Sequence, residues 1–397
     1  MLHYLKFSNF CSFLDEVEIS FAMDGRATAN EKSCSSDAAS GRMSKILAVI
    51  GANGAGKTNA IKPLAFLSWF ICKSVNLKAG ASTYVRPHFL KLDGITSFEL
   101  IFEISGRLFK YELKIDSERV HSEAVTEKTS RQWSSVFVRT WDSFSDSYTF
   151  KQKGFGFDSR MAGKTKKNAS IISMAAQQDV EFANFFIDYF TKFHTNINAS
   201  GRAVSKGYQD LVDGTAFYEE HEKYRELMAK RLEKWDLGLS DVKINKLKHV
   251  DERGEEFEVS MPFGVHKIGD TTFEMPLLAE SSGTQSAYVL LSRLLPVLME
   301  GGVMVYDELE SDLHPHMLDS ILDLFFNPKT NPHNAQIIFT THSVEILNDL
   351  QKCQILLVEK HDGVSEAWRL SDMAGVRSDD NFYAKYMSGT YGAIPNI

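Results

Sequence analysis

The sequence predicts an α/β fold in which a mixed sheet surrounds a P-loop and carries a helical insertion. Three observations lead there. The apolar run KILAVI (45–50) passes directly into Gly51-Ala-Asn-Gly-Ala-Gly56-Lys57-Thr58, and the segment NAIKPLAFLSWFIC (59–72) that follows suits a helix. A second apolar run, VMVYDE (303–308), ends in the paired carboxylates Asp307 and Glu308. A third, IIFTTHS (337–343), ends in Thr340-Thr341-His342-Ser343. Short, wholly apolar runs suit parallel strands buried on both faces, and ligands of such sheets sit at the strands' carboxyl ends.

The elements follow in chain order. Residues 2–21 read as two short strands, with Asn9 and Asp15 where turns would fall. Residues 24–44 are Ser/Ala/Gly-rich without apolar periodicity and read as a mobile surface loop. In the helix after the P-loop, Pro63 is expected in the first turn or at a kink. Residues 97–116 alternate about Gly106 as a hairpin. Residues 151–167 carry five Lys and one Arg against one Asp and read as a solvated basic loop. Residues 179–197 and 215–237 read as helices, the second with Phe217, Tyr224, Leu227 and Leu232 near helical spacing. Residues 280–286 (ESSGTQS) read as the cap of a helix over AYVLLSRLLPVLM. His314-Pro-His316 with Asp312 lacks a third or fourth metal ligand and reads as a loop. The expected division is 1–150 and 255–397 as two parts of one core, with 151–254 as a helical insertion or lid.

Composition narrows the function classes. Over 397 residues, 43% are hydrophobic and 24% charged, which excludes global disorder, a collagen-like fibre and a pure coiled coil. The net charge of −8 argues against a protein that coats nucleic acid wholesale. Cys11, Cys34, Cys72 and Cys353 are scattered, so neither a zinc site nor a disulfide framework is expected, and a reducing cytoplasm is the default. The start of the chain has no secretory signal pattern, and the apolar stretch 63–72 is half of what a membrane span requires.

The chemistry is carried by the three strand ends. Triphosphate oxygens must approach a backbone closely, which glycine permits, and loop N–H groups at a helix start then face the anion. Lys57 would reach the β and γ phosphates and the Thr58 hydroxyl would bind Mg²⁺. Asp307 sits where a Mg²⁺-coordinating acid belongs. Glu308 would point the opposite way on an extended segment and could act as general base on the attacking water. His342 could hydrogen-bond the γ-oxygen and sense its loss.

As a set, these motifs resemble ABC/SMC-type ATPases, in the compact AAA-labelled branch of OLD-like and abortive-infection (anti-phage defence) systems of bacteria. GANGAGKT is similar to the Walker A of that family and VMVYDE to its Walker B. SSGTQ is similar to its variant of the ABC signature, with Ser282, Gly283 and Gln285 matching and Thr284 replacing a glycine. Residues 308–315 (ELESDLHP) resemble the D-loop region and TTHS the H-switch. Phe7, Asn9, Phe10, Ser12 and the tail YGAIPNI (391–397) are also similar, whereas 117–270 match only in general texture. The Q-loop glutamine has Gln177 and Gln178 as candidates, and the long coiled-coil arm is missing. The 55 residues after His342 leave too little room for a Toprim nuclease, so a nuclease would come from a separate polypeptide.

The resemblance implies an ATPase-head fold that binds ATP and Mg²⁺. Lys57, Glu308 and His342 would be catalytic, and Thr58 and Asp307 would hold the metal. Asn53, Gly54, Gly56 and Asn59 would bind nucleotide with them. Ser282, Gly283 and Gln285 of a second subunit would close over the γ-phosphate in a head-to-tail homodimer or higher homo-oligomer. A sensor or regulatory ATPase controlling a separate effector, a nuclease or toxin, is the implied function. The alternatives are a DNA-repair ATPase, with DNA or RNA as partner, and a scaffold cemented by ATP with little turnover. No membrane partner is expected.

Overall fold

The computed structural model describes residues 1–25, 32–39, 41–203, 207–250, 256–311 and 313–395. Its first elements are β1 (Leu2–Ser8), β2 (Val17–Ser20), β3 (Ser33–Ser35), β4 (Arg42–Ser44), β5 (Ile46–Ile50) and α1 (Lys57–Lys73). Five long strands follow: β6 (Thr96–Ile104), β7 (Arg107–Ile115), β8 (Val120–Lys128), β9 (Trp133–Asp142) and β10 (Ser147–Gln152). A mixed insertion comprises α2 (Ser159–Gly163), α3 (Ile171–Ala176), α4 (Glu181–Phe190), β11 (Phe193–Thr195), β12 (Ile197–Asn198), β13 (Gly201–Arg202), α5 (Tyr208–Glu220) and α6 (Glu222–Lys234). Then come β14 (Asp241–Val250), β15 (Glu256–Ile268), β16 (Thr271–Pro276), α7 (Ser282–Glu300), β17 (Val303–Tyr306), α8 (Pro315–Phe326), β18 (Gln336–Thr340), β19 (Ile355–His361), β20 (Val364–Arg369) and α9 (Phe382–Met387).

The predicted α/β core is present as a six-stranded sheet in the order β11-β17-β18-β5-β19-β20. Its strands run parallel except for the β19–β20 pair, which makes the sheet mixed. The apolar runs are explained by burial on both faces. Leu47 and Val49 of β5 enter one hydrophobic cluster, with α1, while Ile46, Ala48 and Ile50 enter the other, with α7 and α8. The first cluster is closed by a second sheet of seven antiparallel strands, β10-β9-β8-β7-β6-β1-β2. The Gly106 hairpin (β6–β7) is part of it, with Phe102 and Phe109 packed against Phe186 of α4.

Several local expectations need correction. Pro63 lies in the second turn of α1, not the first, and the helix runs on to Lys73. The 24–44 segment is not uniformly loop: β3 and β4 pair, and their central residues Cys34 and Met43 are buried in the core. Three-residue strands are too short to show a period. Residues 26–31 and 40 of that segment lie outside the described residues. The helix expected at 179–197 ends at Phe190; residues 193–195 form β11, the edge of the core sheet, parallel to β17. The helix expected at 215–237 is two helices broken at His221. The 151–254 stretch also includes β14, which pairs along its whole length with β15 beyond residue 254. The basic stretch 151–167 is partly structural, because Lys166 Nζ donates to the carbonyls of Val75 (2.9 Å) and Leu77 (2.8 Å). Among the described residues, no helix is long and apolar enough to cross a membrane.

Candidate functional site

The P-loop turns between β5 and α1 through two left-handed glycines, Gly54 (φ 76°) and Gly56 (φ 112°). At Gly56 a Cβ would also lie 2.5 Å from Ser365 Oγ and 2.8 Å from Ser12 Oγ, so the loop is pressed onto β20 and the β1–β2 turn. Ser365 Oγ donates to Ala55 O (2.6 Å) and is hydrogen-bonded to the Ser12 hydroxyl (2.8 Å), and Asn59 Nδ2 donates to Ser12 Oγ (2.9 Å). These bonds fix the loop from its outer side. Lys57 Nζ donates to Gly51 O (2.9 Å) and Ala52 O (3.2 Å). Burial lowers its pKa from the usual lysine value, against the opposing pull of Asp307, Glu308 and Glu310.

Asp307 faces this loop. Thr58 Oγ1 donates to both its oxygens, at 3.0 and 2.9 Å, and Thr340 Oγ1 donates to Oδ1 at 2.7 Å. Its backbone is gripped by Asn196, whose Nδ2 donates to Asp307 O (2.9 Å) and whose Oδ1 accepts from Asp307 N (2.7 Å). Thr340 Oγ1 also accepts from Glu308 N (2.7 Å). A hydroxyl and a carboxylate side by side are hard oxygen donors, the kind Mg²⁺ takes.

Glu308 departs from the extended geometry expected for it. The strand ends at Tyr306, and Glu308 is left-handed, with φ 52°. The two acids still diverge: Asp307 is buried, while Glu308 is half-exposed and pairs with Arg202 and with His342 Nε2 (3.5 Å). The His342 backbone N–H donates to Glu310 Oε1 (2.6 Å). A cavity of about 840 Å³ opens beside the loop, lined by Gly51–Ala55, Thr341 and His342 on one side and by Tyr386 and Ile394 on the other. Asn53 and Gly54 therefore line it.

Ser282, Gly283 and Gln285 do not meet this cavity. Ser282 is the first residue of α7, and Ser281 Oγ caps the helix by accepting from Thr284 N (3.2 Å). Gln285 Nε2 is engaged with the carbonyls of Leu278 (3.1 Å) and Glu280 (2.9 Å). Ser282 and Gln285 line a separate cavity of about 260 Å³, which Glu308 and Arg202 share. Gln177 and Gln178 are exposed at the end of α3 and line neither cavity. Asp312 lies outside the described residues, and Pro315 begins α8. Among the described residues, no group of three or more His, Cys, Asp or Glu side chains could hold a metal by itself.

Sequence reasoning missed Asn196 and Arg202. Both belong to the insertion, over a hundred residues from the acids they hold, and no local pattern marks them. Only the pairing of β11 with β17 brings Asn196 beside Asp307. Thr340 stood in a flagged motif, yet its two hydrogen bonds, donated to Asp307 and accepted from Glu308, are visible only in three dimensions.

A family model described as "AAA domain, putative AbiEii toxin, Type IV TA system" matches residues 46–348. No curated protein matches the chain. Among solved structures, the chain is similar to an Smc head bound to the C-winged helix domain of ScpA, at 13% identity and a TM-score of 0.45 over 92% of this chain and 96% of that one. It is similar to an Smc head domain with an extended coiled coil bound to the C-terminal domain of ScpA, derived from Pyrococcus furiosus, at 12% and 0.45 over 93% and 96%. A third is an Smc head domain with a coiled coil and joint from Pyrococcus yayanosii, at 10% and 0.41 over 98% and 99%.

Proposed function

Because the chain belongs to the AAA-domain family so described, we propose that this P-loop ATPase binds and hydrolyses Mg-ATP and uses the ATP-bound state to pair head to tail with a second copy. The observation that carries this reading is the hydrogen-bonded line Thr58–Asp307–Thr340 at the mouth of the P-loop, with Glu308 beside it. Thr58 and Asp307 would hold Mg²⁺, which when bound neutralises phosphate charge. Lys57 exchanges its two loop carbonyls for phosphate oxygens. Glu308 accepts a proton from the water that attacks the γ-phosphorus, and ADP carries away the electron pair of the broken bond. That role requires the Glu308 carboxylate to leave Arg202.

In this reading the N-terminus of α7 faces the γ-phosphate of the other copy, through Ser282 and Gly283. Hydrolysis removes the phosphate that bridges the pair and releases it. The family description supports a place in bacterial anti-phage defence, as the sensor or regulatory subunit of a separate effector such as a nuclease or toxin. Phosphate release, measured beside oligomeric mass with ATP and with a non-hydrolysable analogue, tests the proposal. Both turnover and an analogue-stabilised dimer are expected. Dimerisation without phosphate release makes the protein a scaffold, and the absence of both overturns the reading.

A further inference from the structure

A third cavity, of about 430 Å³, lies on the flank of α1 away from the phosphate loop. Its lining is rich in aromatics, Phe10, Phe66, Trp69, Phe190 and Phe193, with the half-exposed Tyr84 against Trp69 (centroids 5.6 Å apart). The charges lining it are all positive, namely Lys62, Lys73 and Arg86, and no carboxylate lines it. Lys62 is the unusual member. It is 6% exposed, and its Nζ donates to the carbonyl of Ala199 (2.8 Å). Among the described residues no acid pairs with Lys62 or Arg86 within salt-bridge distance. A buried cation without a counter-ion is costly, and a like charge beside it adds to the cost.

We propose that this cavity is a binding site for a small organic anion: a flat aromatic ring held between the phenyl and indole walls, with its carboxylate, sulfonate or phosphate on Lys62 and Arg86. The volume lies within the range of small-molecule sites, roughly 300–1,000 Å³. Aromatic walls favour a planar ring through stacked or edge contacts. The anion supplies the counter-charge that Lys62 lacks. The wall formed by Thr195, Ile197 and Ala199 flanks Asn196 and leads to Arg202, so the ligand would rest on the segment that grips Asp307.

The test uses the full chain without nucleotide and two dyes of one shape. 1-Anilinonaphthalene-8-sulfonate carries the anion, and N-phenyl-1-naphthylamine lacks it. Fluorescence titration should give one saturable sulfonate site, with the neutral dye at least tenfold weaker. Arg86→Met should weaken the sulfonate dye at least fivefold and leave the neutral dye unchanged. Ala65→Phe, which fills the cavity, should remove saturable binding of both. Equal affinity for the two dyes, or sulfonate binding that neither variant alters, overturns the proposal. If Ala65→Phe melts early, the exposed Arg86 and the dye comparison decide, and neither depends on the ATPase reading.

Discussion

Asp307 is held from three sides by residues far away in the chain, Thr58, Thr340 and Asn196, whereas the start of α7 is held by its near neighbours, through the Ser281 cap and the bonds of Gln285 to Leu278 and Glu280. Both regions have residue types that suit an anion, and they are built oppositely. At the P-loop Thr58 and Asp307 are already oriented by neighbours within the chain. At Ser281–Gln285 the Ser281 hydroxyl and the Gln285 amide bond locally, and Ser282 and Gln285 line a cavity with Arg202 and Glu308 that is not the one beside the loop. In the proposed reading the difference means that one copy orients the phosphate and metal half of a site by itself, while the α7 terminus completes the site of a second copy.

The sharpest way to break this comparison is to remove the charge on the assembled side. Lys57→Ala should abolish measurable ATP binding in calorimetry, because the loop then has no cation for the β and γ oxygens. Retained micromolar affinity would mean that the P-loop is not the nucleotide site. Next in size is Glu308→Gln. It should keep ATP affinity and lower phosphate release by about 10²–10⁴-fold, the usual worth of a positioned general base. Unchanged turnover would remove Glu308 from that role. Arg202→Ala, which frees the Glu308 carboxylate, should not reproduce that loss.

The other side is tested by Ser282→Arg, which places a bulky cation at the α7 terminus. ATP affinity of the single copy should stay within about twofold of the parent, since Ser282 does not line the loop cavity. Turnover and the ATP-dependent gain in mass should fall together, by at least tenfold. A loss of ATP affinity equal to that of Lys57→Ala would show that the two regions are one site within the chain.

The same contrast explains what was readable in advance. β5, β17 and β18 are short, buried on both faces and end in chemically distinct residues, so each announces itself locally. The seven-stranded sheet was visible only in part, at β1, β2 and the β6–β7 hairpin. β8 and β9 are half-buried, with Glu123 and Arg139 fully enclosed, and such strands do not alternate cleanly. Glu123 is satisfied there by Tyr111, Ser170 and the backbone of Ile171, partners that lie 12, 47 and 48 residues away. The β14–β16 sheet escaped notice because β14 is mostly polar and β16 mostly exposed, although β15 buries Met261 and Val265. Asn196 escaped because its grip on Asp307 spans 111 residues.

Asn196 also offers the finest test of the contrast, one of stability in the absence of nucleotide. Its amide fills both bonding needs of the buried Asp307 backbone. Asn196→Ala leaves a buried N–H and a buried carbonyl without partners, a loss of about 1–3 kcal/mol. Gln285 likewise makes two amide bonds, but to carbonyls at a half-exposed helix start that water can reach. Gln285→Ala should therefore cost under about 1 kcal/mol. Denaturant midpoints at unchanged slope give both numbers. If the two variants unfold together, the phosphate side is no more interlocked than the α7 terminus, and the idea that one copy builds only that half loses its footing.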